Sequence, residues 1–186
     1  NRWKILLEVC SERECITALH PGVNTMLSPK RKNGNDVPTL LYVGDLSDHK
    51  GYNVFLHALG QLNAEVEAII IGQGTPNIDF IRSLNLTNSI THMGFVNRSE
   101  LPEQYNAADL FVIPSIDEMG PNTIVEALAC GTPVVATDYP GINEYPPADA
   151  SVLFSPRTTE SLADALETAL TNLDELMSAA RAHAAE

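Results

Sequence analysis

A chain of 186 residues, 44% of them hydrophobic, is the size of one ordinary domain and can bury a core. Its 11 basic against 24 acidic side chains leave a formal charge of -13, which argues against a nucleic-acid backbone as partner, since such binding neutralises phosphates with many cations. Cys10, Cys15 and Cys130 are too few and too irregular for a disulfide framework, no apolar run approaches a membrane span and no signal peptide opens the chain, so a cytoplasmic setting is expected.

In chain order, residues 1–36 are the hardest to read. Trp3 to Val9 reads as a short strand, His20-Pro21-Gly22-Val23-Asn24 as a turn, and Ser28 to Pro38 as a charged loop. From Thr39 the pattern is clean. Thr39 to Val43 reads as a strand, Gly44 to Gly51 as a loop, and Tyr52 to Leu62 as a helix that buries Val54, Phe55, Ala58, Leu59 and Leu62. Val66 to Ile71 is the next strand, then the turn Gly72-Gln73-Gly74-Thr75-Pro76, a helix from Asn77 to Leu84 and a strand from Ile90 to Met93. Gly94-Phe95-Val96 leads to Ser99, read as the N-cap of a helix running to Ala108.

Leu110 to Ile113 is apolar on both faces, as a parallel strand covered by helices is, and Pro114 ends it because proline gives the ladder no N–H. A polar loop follows from Ser115, with Asn122 read as the N-cap of a helix to Ala129 and Gly131 as its stop. Pro133 to Ala136 is again apolar, Asp138 to Asp149 a loop, and Ser151 to Phe154 a last strand. Thr158 to His183 is helical with a break expected at Thr171-Asn172, and the alanines of Ala179 to Ala185 leave that end little to bury. This alternation predicts an α/β fold, a Rossmann-like parallel sheet flanked by helices, occupying 1–186 as a single domain.

In a parallel sheet every strand-to-helix loop leaves at one edge, so the loops at Gly44 to Gly51, Gly72 to Pro76, Gly94 to Ser99 and Ser115 to Asn122 converge. Glycine-bearing loops, helix N-termini, Lys50 and the carboxylates Glu118 and Glu126 suit a ligand that carries phosphates and hydroxyls. Each has a plainer reading: Lys50 as a solvated lysine, Gly72-Gln73-Gly74 as an ordinary turn, Glu126 as a helix-start charge, Cys130 as a small buried residue. Ser115, His92 and Cys130 form no recognisable nucleophile–base set, and the five histidines show no metal-ligand spacing.

Glu118 and Glu126, with seven residues between them and Ala127-Leu128-Ala129-Cys130-Gly131-Thr132-Pro133-Val134-Val135-Ala136 after them, resemble the E-x7-E region of retaining glycosyltransferases of the GT-B fold, in the family called glycosyl transferases group 1 (family 4). Further blocks follow in family order: Tyr42-Val43-Gly44-Asp45-Leu46 with Lys50-Gly51; Ile69-Ile70-Ile71-Gly72-Gln73-Gly74; Ile90, His92, Gly94 and Val96; and Leu101 to Ser115. The likeness is strong from Leu40 to Phe154 and weaker at Pro21-Gly22-Val23-Asn24 with Pro29.

The resemblance implies the C-terminal, donor-binding domain of a two-domain enzyme whose donor is a nucleoside-diphosphate sugar and which needs no metal or other cofactor for transfer. Carried over, Glu126 would hold the ribose hydroxyls, and Glu118 would lie by the donor sugar with the Met119, Gly120 and Pro121 backbone. Asn122 and Thr123 would meet the diphosphate at a helix N-terminus, together with the glycine turns at Gly44, Gly72 and Gly74. Lys50 would neutralise charge on the leaving nucleoside diphosphate, and Gly94, Phe95 and Val96 would line the base. The expected partners are the nucleotide-sugar donor, a missing N-terminal acceptor domain and a glycan, lipid or small-molecule acceptor, with membrane association through either of the last two left open. One departure is Asp45, where the family usually carries arginine. A nucleotide- or partner-binding domain without transferase activity therefore stands as the alternative, and a nucleotide-sugar epimerase on a related fold as a weaker one.

Overall fold

The structure, a computed structural model, describes residues 37–84, 89–115, 121–155 and 158–185. The expected strand at Trp3 to Val9 and the turn at Pro21 lie outside these residues, as do Glu118, Met119 and Gly120. Among the described residues six strands form one parallel sheet: β1 (Thr39–Val43), β2 (Glu67–Ile71), β3 (Ser89–Gly94), β4 (Leu110–Ile113), β5 (Val134–Thr137) and β6 (Ser151–Phe154). The helices are α1 (Tyr52–Leu59), α2 (Ile78–Ser83), α3 (Leu101–Ala107), α4 (Asn122–Ala129), α5 (Thr159–Thr171) and α6 (Leu173–Ala184). The spatial order is β3-β2-β1-β4-β5-β6, so the chain winds outward from β1 to β3 and then returns to the middle at β4.

Alternation along each strand supplies the two apolar layers that helices cover. Leu40, Tyr42, Leu110, Val112 and Val135 face one layer with Phe55, Leu56, Leu162 and Leu166. Leu41, Phe111, Ile113, Val134 and Ala136 face the other with Tyr105, Ile124 and Leu128. β4 and β5 are buried along their whole length, β4 as an unbroken apolar run and β5 as three apolar residues ending on the buried Thr137. At the rim, the buried Tyr52 hydroxyl meets His92 Nε2 at 2.9 Å, joining the start of α1 to β3.

Several boundaries differ from the sequence reading for local reasons. α1 stops at Leu59 because Gly60, a poor helix former, follows; Leu62 still packs on the core, from the loop. The helix expected from a Ser99 cap begins at Leu101, with Glu100 as the N-cap residue and Pro102 in the first turn, where a missing N–H costs nothing. Asn122 is the first residue of α4, and Pro121 takes the cap position. Gly131 stops α4 as expected, in a left-handed conformation (φ 74°). Asn77 and Thr158 do cap, accepting hydrogen bonds from the Phe80 and Ser161 N–H groups. The helical C-terminus breaks at Asn172, as the sequence suggested.

The alanine-rich end is packed. α6 gives Leu173, Leu176 and Met177 to one layer and the fully buried Ala180 to the other. Arg181 lies so near the turn after α4 that a Cβ on Gly131 would stand 3.0 Å from its Cγ. Small side chains at this crossing let the two helices approach.

The C-terminal edge of the sheet is drawn tight by backbone contact. A Cβ on Gly51, which also has a left-handed φ of 71°, would fall 2.0 Å from the Pro114 carbonyl oxygen. That contact locks the β1–α1 loop onto the end of β4. Gly51→Ala is expected to destabilise the fold by about 2 kcal/mol or more, the sum of left-handed strain and a clash with backbone that cannot yield. Urea unfolding of the two proteins measures it, and an unchanged midpoint would contradict the contact.

Candidate functional site

In an open parallel sheet, the crevice for a ligand lies where the strand order reverses, outside the carboxyl ends of the two central strands. Here those strands are β1 and β4, neighbours in register through Leu40–Leu110 and Leu41–Phe111. The loop after β1 is rigid in a specific way. The buried Tyr42 hydroxyl donates to the Asp45 carbonyl at 2.7 Å, with the Lys50 carbonyl 3.3 Å from the same oxygen. The Ser115 hydroxyl donates to the His49 carbonyl at 3.2 Å, and Thr137 donates to the Ser115 carbonyl at 2.6 Å. The loops after β1, β4 and β5 are thereby stitched in sequence around the crevice.

The glycines expected to cradle phosphate pack against one another. Gly72 sits so close to Gly44 that a Cβ there would lie 1.8 Å from the Gly44 carbonyl oxygen, and its own N–H donates to the Gly94 carbonyl at 2.9 Å. Gly74 abuts Leu46, whose N–H donates to the Gln73 carbonyl at 2.8 Å. Gly44, Gly72 and Gly94 therefore form a continuous rim from β1 to β3. Gly94 differs from the other two: its φ is 69° and a Cβ there would meet nothing within 4 Å, so its neighbourhood is open. Beside it the Phe95 ring is 68% exposed, while Val96 packs partly into the core.

Across the crevice, α4 starts at Asn122 with no side-chain cap and no acidic residue in its first turn. The first N–H groups of a helix have no partner within it, and their dipoles favour an anion. Asn122 is exposed and Thr123 partly so. α1 likewise starts behind Gly51 without a side-chain cap, next to Lys50. Two helix starts thus flank the reversal point. The Asp45 carboxylate is exposed and makes no ion pair or hydrogen bond among the described residues; it does not cap α1.

Glu126 lies one turn into α4, and its surroundings are more elaborate than a helix-start charge needs. Only 15% of its side chain is exposed. Arg98 Nη2 donates to Oε1 at 3.2 Å, and the Tyr105 hydroxyl donates to Oε2 at 3.2 Å. Burial and then the Glu126 charge hold the Tyr105 hydroxyl well above its ordinary range. The same two causes push the Cys130 thiol up to about 12. Arg98 and Tyr105 escaped the sequence reading, because nothing in Asn97-Arg98-Ser99 or in an apolar helix face indicates a partner 21 or 28 residues away. Among the described residues no group of three or more histidine, cysteine, aspartate or glutamate side chains could hold a metal ion. No described helix is long and apolar enough to cross a membrane.

Residues 25–185 match the family model of glycosyl transferases group 1. The chain belongs to that family. The D-inositol 3-phosphate glycosyltransferase of Rhodococcus erythropolis is 31% identical over 160 residues, covering 77% of this chain and 36% of that protein. Among solved structures, Anabaena Alr3699/HepE in complex with UDP and glucose superposes with a TM-score of 0.70 at 26% identity, over 80% of this chain and 43% of that one. The C-terminal domain of a group 1 family protein (LpcC) from Francisella tularensis shares the fold, with a TM-score of 0.64 at 23% identity over 79% of this chain and 85% of that one. The chain spans about a third of the length of the curated relatives it matches, 31%, 30% and 28% in three of them.

The thiol of Cys130 offers a pH probe of this region. An unfolded cysteine ionises from about pH 9, whereas the folded thiol stays neutral to about 12, so between these values the folded state binds more protons and stability falls as pH rises. Cys130→Ser is expected to reduce the loss of stability between pH 8 and pH 10 by about 1 kcal/mol. Urea midpoints at the two pH values check this; an equal loss in both proteins would contradict it.

Proposed function

We propose that this chain is the donor-binding half of a retaining glycosyltransferase, taking a nucleoside-diphosphate sugar in the crevice between the ends of β1 and β4. The observation that carries the reading is the pair of helix starts at the reversal point, one beside Lys50, with the anchored carboxylate of Glu126 a turn deeper in α4. Membership of the glycosyl transferases group 1 family and the UDP held by the Anabaena neighbour support the same donor class.

On this reading the Asn122 and Thr123 N–H groups receive the diphosphate. Lys50 lowers the cost of the charge that develops on the nucleoside diphosphate as the glycosidic bond breaks, a cation set against a forming anion. Glu126 accepts hydrogen bonds from the two ribose hydroxyls, and Glu118, outside the described residues, is assigned to the donor sugar by the family resemblance alone. The exposed Phe95 ring and the open backbone at Gly94 offer the base a surface to lie on. The acceptor, a glycan, a lipid or a small molecule, and the opposite wall of the cleft belong to a second domain. A crevice with one wall binds a donor without bringing an acceptor into line, so this chain alone is expected to bind and not to transfer.

Asp45 favours the second reading, a domain that binds nucleotide or a partner without transfer. Asp45 is exposed two residues past the end of β1, and on that reading its carboxylate faces the phosphates and repels them. Calorimetric titration with UDP, GDP and ADP tests both readings. Glu126→Gln is expected to weaken the best-bound diphosphate by about 1.5–3 kcal/mol. Asp45→Arg is expected to tighten it by about 1 kcal/mol, most at low salt. Equal affinity in Glu126→Gln would return Glu126 to a structural role.

A further inference from the structure

We propose that Arg98 is a positioning residue for donor recognition: from the loop after β3 it clamps, with Tyr105, the Glu126 carboxylate in the orientation that accepts a ribose diol. The inference rests on the donor-site reading of Glu126 and adds to it a residue that neither motif spacing nor family resemblance marked.

The terminal torsion of a glutamate is broad, so a carboxylate fixed at one point still swings. Here it is fixed at two. Arg98 holds Oε1 and Tyr105 holds Oε2, each at 3.2 Å. Tyr105 is fully buried in the layer beneath α4 and cannot follow a moving partner. Two anchors on different oxygens define the plane of the group. An ionised carboxylate has about four lone-pair positions, so one remains on each oxygen. Two neighbouring acceptors, fixed in plane, match the two donors of a vicinal diol.

The anchors come from separate elements, the β3–α3 loop and α3, and meet on α4. The loop that carries Arg98 also carries Gly94 and Phe95, so the surface offered to a base and the acceptor offered to its ribose are joined through this one ion pair. Arg98 additionally offsets the cost of placing a carboxylate where only 15% of the side chain is exposed. Its own side chain is 58% exposed, so truncating it removes the clamp and leaves the core intact.

The test measures diol preference, which a loss of general packing does not move. The 186-residue chain is titrated with UDP, GDP and ADP, and with the 2′-deoxy form of the diphosphate bound best, for wild type, Glu126→Gln and Arg98→Ala, with thermal unfolding followed alongside. Wild type is expected to prefer the ribose form by about tenfold or more. Arg98→Ala is expected to fold normally and to lose most of that preference, weakening the ribose form far more than the deoxy form. If Arg98→Ala weakens both forms by one factor and keeps the preference, Arg98 acts on the phosphates or on packing and the proposal is overturned. If Glu126→Gln abolishes the preference while Arg98→Ala retains it, the clamp alone is wrong. If Glu126→Gln leaves the preference untouched, or wild type binds none of the diphosphates, the donor-site reading fails and the clamp fails with it.

Discussion

Backbone lies against backbone at the C-terminal edge of this sheet, and the rest of the site depends on that closeness. Gly51 leaves no room for a side chain above the Pro114 carbonyl, and Gly72 leaves none above Gly44. Parallel strands deliver their loops to one edge; these contacts then decide how near those loops come. With β1 and β4 adjacent and their loops in contact, two helix starts face the crevice at which the strand order reverses. Larger residues at either glycine would push the loops apart and open the crevice.

Electrostatics is distributed unevenly around that crevice. The chain is strongly acidic, yet α4 begins without an acidic residue, and Glu126 is neutralised in place by Arg98. Asp45 and Asp48, both exposed, put carboxylates on the β1 side, and the Asn53 side chain donates to Asp48 at 2.6 Å. The start of α4 thus carries no acidic side chain, while the β1–α1 loop sets the Lys50 cation among exposed carboxylates.

Much of the fold was legible in the sequence because strand and helix periods are local. Thr39 to Val43, Leu110 to Ile113 and Ser151 to Phe154 are strands at those bounds, and the break at Asn172 was visible as a pair of poor helix formers. Cap positions were less legible. Ser99 and Asn122 are good capping residues by type, but Glu100 and Pro121 occupy the positions, because where the chain enters a helix is set by packing further along. The alanine-rich end looked unanchored because alanine carries little apolar surface; its value at Ala180 is the close approach it permits. Motif spacing pointed to Glu126, but not to its partners. Arg98 and Tyr105 reach it across the sheet edge from elements whose own sequences give no sign of it.

The proposed function places a nucleoside diphosphate in the crevice between the ends of β1 and β4. Amide chemical shifts of the isotope-labelled chain, followed by NMR through titrations with UDP, GDP and ADP, test it most directly. Saturable shifts are expected, concentrated at 44–51, 72–74, 94–96 and 121–124, with the Asn122 and Thr123 amides among the most displaced. Shifts confined to the opposite edge of the sheet, or none at saturating concentrations of all three, would contradict it.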